Sequence, residues 1–314
     1  MGVVRRRLHR RELQCKWAVP PPGRGRRGAA GGWAQAPVAP TRWETGQTDA
    51  VSRIVAGHYS AAAEGYRSLW APELLDLARR LLDELPLTGA RRLLDSGAGV
   101  GSLLPELATR SASALVFGVD VSEGMVALTP PGFPAAVADS CRLPFDRHTF
   151  DVGILAFVLF HLPDPIDGLK EMSRVLRPGG TVGTITWGPG GGYRAREVWL
   201  EALDEHGAAA IETGFAKHEL VDSVEKIQHL LERSGFEAVR TWIGQYESRL
   251  TPDEFLAHRT GHGESRRRFE SLGEDTRAEL LRKVRLRLLE LGPEDFVHRE
   301  AVVYATSRTP QYNY

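Results

Sequence analysis

Residues 93–101, Leu93-Leu94-Asp95-Ser96-Gly97-Ala98-Gly99-Val100-Gly101, decide the fold. An apolar run closes on an acid, and glycine then holds every second position. The helix-like run Ser102 to Thr109 starts at once. A strand that turns tightly into a helix leaves backbone N–H groups pointing into the turn. Together with the positive end of the helix dipole, they suit a carboxylate or a phosphate. Alternate glycines remove the Cβ atoms that would hold a ligand off the backbone. The stretch reads as a ligand cradle at the carboxyl end of a strand, the place where open α/β sheets bind ligands.

The spacing narrows the choice of ligand. The dinucleotide fingerprint G-x-G-x-x-G requires glycine where this chain has Ser102, and the third glycine, Gly101, comes one residue early. The pattern D-x-G-x-G-x-G, from Asp95 to Gly101, resembles the first motif of the class I S-adenosylmethionine-dependent methyltransferases. The bland alternative is a tight strand–helix turn that binds nothing.

Acids at the next strand ends favour a ligand. The run Ala114 to Asp120 reads as a second strand ending in Asp120, about twenty residues after the glycine turn. A doubly wound sheet sets that carboxylate beside the neighbouring strand end, within reach of a ribose diol. Two hydroxyl donors to one carboxylate make strong, charge-assisted bonds. Val121 and Met125 follow on a short helix and offer soft apolar surface to the flat face of a base. Phe133 to Ala138 is a short third strand. After it, Asp139 is placed to accept from an adenine amino group, and the Ser140 N–H to donate to a ring nitrogen. Taken alone, Asp139 reads equally as the start of an Asx-turn. Ala156 and Phe157, near the end of the fourth strand, complete the expected cofactor-binding set of Asp95, Gly97, Gly99, Gly101, Asp120, Val121, Met125, Asp139 and Ser140.

The fourth strand, Phe150 to Leu159, is apolar nearly throughout, as a central parallel strand covered on both faces should be. Pro165 opens a helix to Leu176, and Arg177-Pro178-Gly179-Gly180 turns into a fifth strand, Thr181 to Trp187. The segment Phe150 to Gly180, with Asp151, Leu162-Pro163-Asp164-Pro165 and Glu171 through Arg174-Val175-Leu176-Arg177-Pro178-Gly179-Gly180, resembles the ubiquinone/menaquinone-biosynthesis (methyltransferase type 11) branch of that class. The resemblance covers residues 55 to 187 and weakens beyond. Ser96 departs from it, standing where the family tends to carry an aliphatic residue.

The resemblance implies a Rossmann-like, seven-stranded doubly wound α/β sheet in the order 3-2-1-4-5-7-6, with the last strand antiparallel and helical cap insertions on the substrate side. It implies S-adenosyl-L-methionine as cofactor and methyl transfer to oxygen or carbon of a small-molecule acceptor. An Asn-Pro-Pro-Tyr type motif after the fourth strand, which the resemblance associates with amide or exocyclic nitrogen acceptors, is absent. Two other readings stay open: a non-catalytic S-adenosylmethionine-binding module, and an NAD-type dehydrogenase, which the glycine spacing disfavours.

Composition sets bounds on all of this. The 314 residues are 42% hydrophobic and 25% charged, ordinary for a soluble globular protein, with zero formal net charge. The charge is unevenly placed. Residues 1–45 hold ten Lys or Arg and two Glu, leaving thirty basic and thirty-eight acidic residues for the remainder. No apolar run approaches the ~18–20 residues of a membrane span, and no apolar core follows the charged N-terminus. Cys15 and Cys141 are the only cysteines, one in the tail and one in an expected loop. This argues against a disulfide framework and for a reducing, cytoplasmic setting.

Residues 1–50 read as a disordered basic tail, 51–187 as the methyltransferase core, and 188–308 as the completion of the sheet with a helical substrate cap. The tail has three readings: a solvated arm, a translated leader with the true start at Val51, and a basic arm for nucleic acid or acidic lipid. From His58, apolar residues recur at helical spacing through Tyr59, Ala62, Ala63, Tyr66, Leu69 and Trp70. Pro72 interrupts, and a second helix runs to Leu85. Tyr59, Tyr66 and Trp70 either pack on the sheet or form a lid over the cofactor.

Beyond Trp187, helices are expected at 195–206, 223–234, 252 to about 269 and 275–291, and strands at 236–246 and 296–307. Thr251-Pro252-Asp253-Glu254 is a strong helix start. A general base assists transfer to a hydroxyl or an acidic carbon. His161, after the fourth strand, is the catalytic candidate; the alternative is a loop histidine bonded to backbone. His58 and Tyr59 are weaker candidates, and Trp187 is placed to line the acceptor pocket. His258 and His262 stand four apart, as metal ligands can, but Gly261 and Gly263 oppose a stable helix there and no third ligand is evident, so no metal is assigned. Arg266 to Arg268 reads as a solvated face, without the interleaved aromatics of a nucleic-acid surface. The expected partner is a small-molecule acceptor, not a membrane or nucleic acid, and the protein is expected to be a monomer or homodimer.

Overall fold

A computed structural model describes residues 50–210 and 217–311. The expected basic tail, with Cys15, and part of the loop before Lys217 lie outside those residues. Residues 50–82 form one helical stretch: α1 (Ala50–Gly65), a π-helical turn (Tyr66–Trp70) and α2 (Ala71–Leu82). The sequence suggests a break at Pro72. In the structure Pro72 sits in the first turn of α2, where a missing N–H is harmless. The irregularity is the π turn, a feature common at functional sites, and it carries Tyr66 and Trp70.

Seven strands follow: β1 (Arg92–Ser96), β2 (Leu115–Asp120), β3 (Ala135–Val137), β4 (Phe150–Ala156), β5 (Leu176–Gly190), β6 (Glu237–Arg249) and β7 (Val297–Arg308). They form a single sheet in the order β3-β2-β1-β4-β5-β7-β6. The pairings from β3 to β5 are parallel, and β7 runs antiparallel to both β5 and β6. This is the topology the resemblance implies. The order reverses between β1 and β4, and a ligand cleft is expected outside the carboxyl ends of those strands.

Helices α3 (Leu103–Arg110), α4 (Glu123–Val126), α5 (Pro165–Val175) and α7 (Val224–Arg233) pack against the sheet and its loops. On α2, Leu77, Ala78, Leu81 and Leu82 are buried, and the described residues of β4 from Phe150 to Leu155 are all buried. Gly153 on β4 has α5 at its back: a Cβ there would stand 2.2 Å from Met172 Sδ.

Two strand ends differ from the sequence reading. β4 stops at Ala156, three residues early, because Phe157 adopts a left-handed backbone with φ of 59° and a 3₁₀ turn (Leu159–His161) follows. β5 begins at Leu176. Its first residues arch away from β4, so the register shifts between the Phe150–Leu176 and Val152–Thr181 pairs, and Gly179 takes a φ of 73° in that arch.

The family-like residues of β4 and α5 hold loops in place. The buried Asp151 carboxylate accepts from the backbone N–H groups of Arg91 and Arg92 and pairs with Arg177 at 2.7 Å. Glu171 accepts the Leu143 N–H at 2.8 Å and pairs with Arg174. Arg174 in turn donates to the carbonyls of Phe145 and Leu143. The loop after β3 is therefore tied to α5.

The remaining helices are α6 (Arg194–Glu205), α8 (Pro252–Gly261), α9 (Gly263–Glu270) and α10 (Glu274–Leu288). Their apolar faces share a second core, with Trp199, Phe255, Leu280, Val284 and Leu288 fully buried. Thr251 caps α8 through a complete capping box with Glu254. The helix expected to run on to Phe269 breaks at His262, where φ is −160°, and Gly263 follows in the left-handed region at 73°. The two glycines flanking His262 make this break.

Candidate active site

The glycine turn has the backbone its sequence demands. Gly97, Gly99 and Gly101 have φ of 80°, 55° and 78°, values L side chains rarely adopt. A Cβ on Gly97 would stand 2.2 Å from Val158 Cγ2, so this position also needs glycine for space. The Gly99 N–H donates to Asp120 Oδ2 at 2.8 Å, and the Ser122 N–H donates to Oδ1 at 2.8 Å. Asp120 is thus fixed at the mouth of the turn, with lone pairs left for further donors.

Asp95 lies behind the turn, 1% exposed. Both its carboxylate oxygens are sealed from solvent and have no hydrogen-bond partner among the described residues. Burial, helped by the charge of Asp120, pushes its pKa up to about 7. An orphaned buried carboxylate is costly unless a donor arrives. A cationic ammonium is the donor that would relieve it best.

Asp139 and Ser140 follow β3, both 7% exposed. The Cys141 N–H donates to Asp139 Oδ1 at 2.9 Å, so the Asx-turn suggested by the sequence is present. Its Oδ2 is 3.6 Å from Arg142 and borders the same cleft. Ser140 shares a 2.9 Å hydrogen bond with Ser96 at the end of β1, donated by the Ser96 hydroxyl. An aliphatic residue at position 96 could not make that bond. It ties the loop after β3 to the glycine turn.

Val121, Met125, Ala156 and Phe157 line the cleft with Gly97 and Gly99. The strained Phe157 is held by its N–H, which donates to the Ile185 carbonyl at 2.8 Å. Of the expected cofactor set, the cleft brings together Gly97, Gly99, Asp120, Val121, Met125, Asp139, Ser140, Ala156 and Phe157. Asp95 lines an adjoining space with Gly97 and Tyr66. Gly101 shapes the turn without lining either space; a Cβ there would crowd Pro130 and Leu104.

Helix α1 closes the cleft. Ser52, Val55, Tyr59 and Tyr66 all face it, and the Tyr66 ring would lie 3.5 Å from a Cβ on Gly99. The Ser60 and Ser122 hydroxyls are 2.8 Å apart, and the Gly124 N–H donates to Ser60 Oγ at 3.2 Å. Tyr59 Oη lies 2.7 Å from His161 Nε2. Burial drives the Tyr59 pKa up, with the Asp120 charge adding to it, so the phenol stays protonated. Tyr59 and Tyr66 border the cleft and also pack against the buried cluster of Ala63, Ala71, Val100 and Met125. His58 packs edge-on against Tyr59 at 5.1 Å, and burial lowers its pKa to about 4.

Trp187, in the last stretch of β5 before Gly190, sits 4.7 Å from the Phe157 ring, 5.4 Å from Tyr246 and 6.3 Å from Trp70. His262 lies 5.0 Å from Trp70 and 6.2 Å from Tyr66, and burial lowers its pKa to about 3. Among the described residues, no group of three potential metal ligands occurs. Arg266 pairs with Glu270 and donates to the Ala61 carbonyl of α1, and Arg268 pairs with Asp204. No described helix is long and apolar enough to cross a membrane.

Sequence reasoning missed Ser52, Val55, Val158 and Leu162 as parts of the cleft wall, and Glu73 and Tyr246 beneath the cap. No motif marks them, since small or apolar residues on a helix face look alike whether they meet a sheet or a ligand.

A reversed parallel sheet with a glycine turn and two acids at its switch point defines a class: open α/β proteins that bind a nucleotide-like ligand at their strand ends. The comparisons narrow this. Residues 94–183 match the family model described as a methyltransferase domain. The chain is 34% identical over 176 residues to the ubiquinone/menaquinone biosynthesis C-methyltransferase of Syntrophotalea carbinolica, over 50% of this chain and 73% of that protein. It is 28% identical over 206 residues to the malonyl-[acyl-carrier protein] O-methyltransferase of Marinomonas sp., over 63% of this chain and 74% of that protein. Against the biotin biosynthesis bifunctional protein of Cellvibrio japonicus, identity is 32% over 164 residues, 51% of this chain but only 32% of that protein's length. The chain thus spans about a third of that relative. Among solved structures, Haemonchus contortus phosphoethanolamine N-methyltransferase 2, in complex with phosphomonomethylethanolamine and S-adenosylhomocysteine, shares the fold, with a TM-score of 0.50 and 18% identity over 84% of this chain and 61% of that one. The chain belongs to the class I S-adenosylmethionine-dependent methyltransferases.

Proposed function

We propose that this protein transfers a methyl group from S-adenosylmethionine to oxygen or carbon of a small-molecule acceptor. The observation that carries the reading is Asp95, a sealed carboxylate without a partner among the described residues, set behind a turn whose glycines at 97, 99 and 101 all take left-handed backbone angles. An α-amino group fits that vacancy of charge, and the positive end of the α3 dipole behind the turn suits an α-carboxylate. Asp120 is oriented to accept from two ribose hydroxyls, with Val121 and Met125 against the base. The Asp139 carboxylate and the Ser140 N–H suit the adenine edge. The cofactor, when bound, supplies a methyl on a sulfonium, which leaves as a neutral thioether.

The protein's share of the work is alignment, exclusion of water and handling of one proton. Helix α1 supplies the exclusion, with Tyr59 and Tyr66 over the turn. For a hydroxyl acceptor, Tyr59 Oη accepts the acceptor's proton while passing its own to His161 Nε2, 2.7 Å away. Burial disfavours a free phenolate, so the two transfers are coupled. His161 is thus the terminal base and Tyr59 its relay. The reducing cytoplasm suits a protein whose one described cysteine, Cys141, is a free thiol.

The test is turnover. Incubation with S-adenosylmethionine and a panel of phenols, quinols and polyketides should yield a methylated product and S-adenosylhomocysteine in equal amounts. Binding of the cofactor without turnover on any member of the panel would favour a binding module.

A further inference from the structure

A second cluster of titratable side chains lies under the cap, and the methyl-transfer chemistry above does not use it. Its centre is Arg259 on α8. The guanidinium Nη2 donates to Tyr193 Oη at 2.7 Å, and Cζ stands 5.2 Å from the centre of the Phe255 ring. Nε is sealed from solvent and has no partner among the described residues, although the residue as a whole stays partly exposed. Tyr193, Arg196 and Tyr246 are the groups that act most strongly on its charge, and no ion pair joins it to a carboxylate among the described residues. Other cap arginines differ: Arg266, Arg268 and Arg287 pair with Glu270, Asp204 and Glu205. A half-buried guanidinium with no ion pair among the described residues is equipped to recognise an anion.

A row of rings, each edge-on to the next, leads toward Arg259. From Tyr66 over the glycine turn it passes His262, Trp70 and Trp187 and reaches Tyr246, each ring within 6.3 Å of the next. The nearest acid, Glu73, is already engaged, since Tyr246 Oη donates to it and His258 Nε2 is 3.8 Å away. Burial lowers the pKa of both His258 and His262, against Glu73 in the first case and with Arg259 in the second. Both rings are thus biased toward the neutral form, and Arg259, with Arg196 acting on it, keeps this end of the row of rings positive.

Resting on the methyl-transfer reading, we propose that the acceptor is a flat, mainly apolar molecule bearing a carboxylate or similar acidic group. Its rings lie along Trp70 and Trp187, and Arg259 holds the acidic group at the far end from the cofactor turn. The planar guanidinium fork suits a carboxylate better than a point charge would. Arg259 then selects the acceptor and takes no part in moving the proton.

The test uses the full chain saturated with S-adenosylhomocysteine, into which 3-hydroxy-2-naphthoate and, separately, its methyl ester are titrated, with tryptophan fluorescence as readout. The acid should bind at least about tenfold tighter than the ester. Arg259→Gln should erase the preference and leave affinity for S-adenosylhomocysteine unchanged, and Arg259→Lys should recover part of it. A merely structural Arg259 would alter the melting temperature without altering the acid-to-ester ratio. Equal binding of acid and ester, binding of neither, or a preference that survives Arg259→Gln overturns the proposal and leaves the methyltransferase reading intact. Failure of S-adenosylhomocysteine itself to bind overturns both.

Discussion

Tyr59 Oη and His161 Nε2 are 2.7 Å apart across 102 residues of chain, and this contact joins the lid helix to the loop after the central strand. The base is therefore complete only when α1 is docked. His161→Ala should lower kcat about 10²–10⁴-fold and leave S-adenosylhomocysteine affinity within a few-fold. Tyr59→Phe keeps the ring packing but breaks the relay, so kcat should fall with little change in melting temperature. Equal activity of wild type and Tyr59→Phe would remove Tyr59 from the proton path.

Asp95 makes cofactor binding depend on pH. Its carboxyl is raised from an ordinary value of 3.8 to about 7, so the free folded protein holds a proton there that the unfolded chain releases. The sign follows: this group's contribution to stability is complete below about 4 and is lost as pH rises through about 7. An ammonium ligand needs the ionised form. Affinity for S-adenosylhomocysteine should rise about tenfold per unit as pH approaches 7 from below, then level off. Asp95→Asn should flatten both profiles, as read by calorimetry and thermal melts from pH 5 to 8.

Gly97 is constrained twice, by its φ of 80° and by Val158 Cγ2 at 2.2 Å from any Cβ. Gly97→Ala should cost about 1–3 kcal/mol from backbone strain alone. It should also abolish binding of S-adenosylhomocysteine, because relieving the clash moves the turn. Adding the same methyl at Gly89, also left-handed but with open space around it, should strain the backbone and leave binding intact.

Asp151 predicts a stability effect without a direct catalytic one. Removing its carboxylate orphans the N–H groups of Arg91 and Arg92 and frees Arg177. Asp151→Ala should lower stability by about 2–3 kcal/mol in a denaturant titration. Cofactor affinity should fall little once the variant is folded.

The part of the chain from Leu93 to Trp187 was legible because its signals are local and chemical. Glycines at a turn, acids at strand ends and an apolar central strand each admit few structures. Phe157 shows the limit. Nothing in an apolar run says that the strand stops there: Phe157 keeps an inter-strand bond to the Ile185 carbonyl yet turns left-handed, with φ of 59°. Ser96 stood out as a departure from the family, yet its use became visible only when Ser140 was found beside it. Under the cap, legibility fails for a different reason. Arg259, His258 and Glu73 look like ordinary helix-surface residues in the sequence, and only long-range packing places them under one roof. The glycines flanking His262 did announce the break between α8 and α9.

The central claim, that the glycine turn and Asp120 form a site for the S-adenosyl nucleoside, is tested most directly by calorimetric titration of S-adenosylhomocysteine into wild type and Asp120→Ala. The account predicts one site per chain in the wild type and an affinity loss of about a hundredfold in the variant, from two charge-assisted bonds. Wild-type protein that takes up no S-adenosylhomocysteine, or an Asp120→Ala variant that binds it as tightly as wild type, would contradict it.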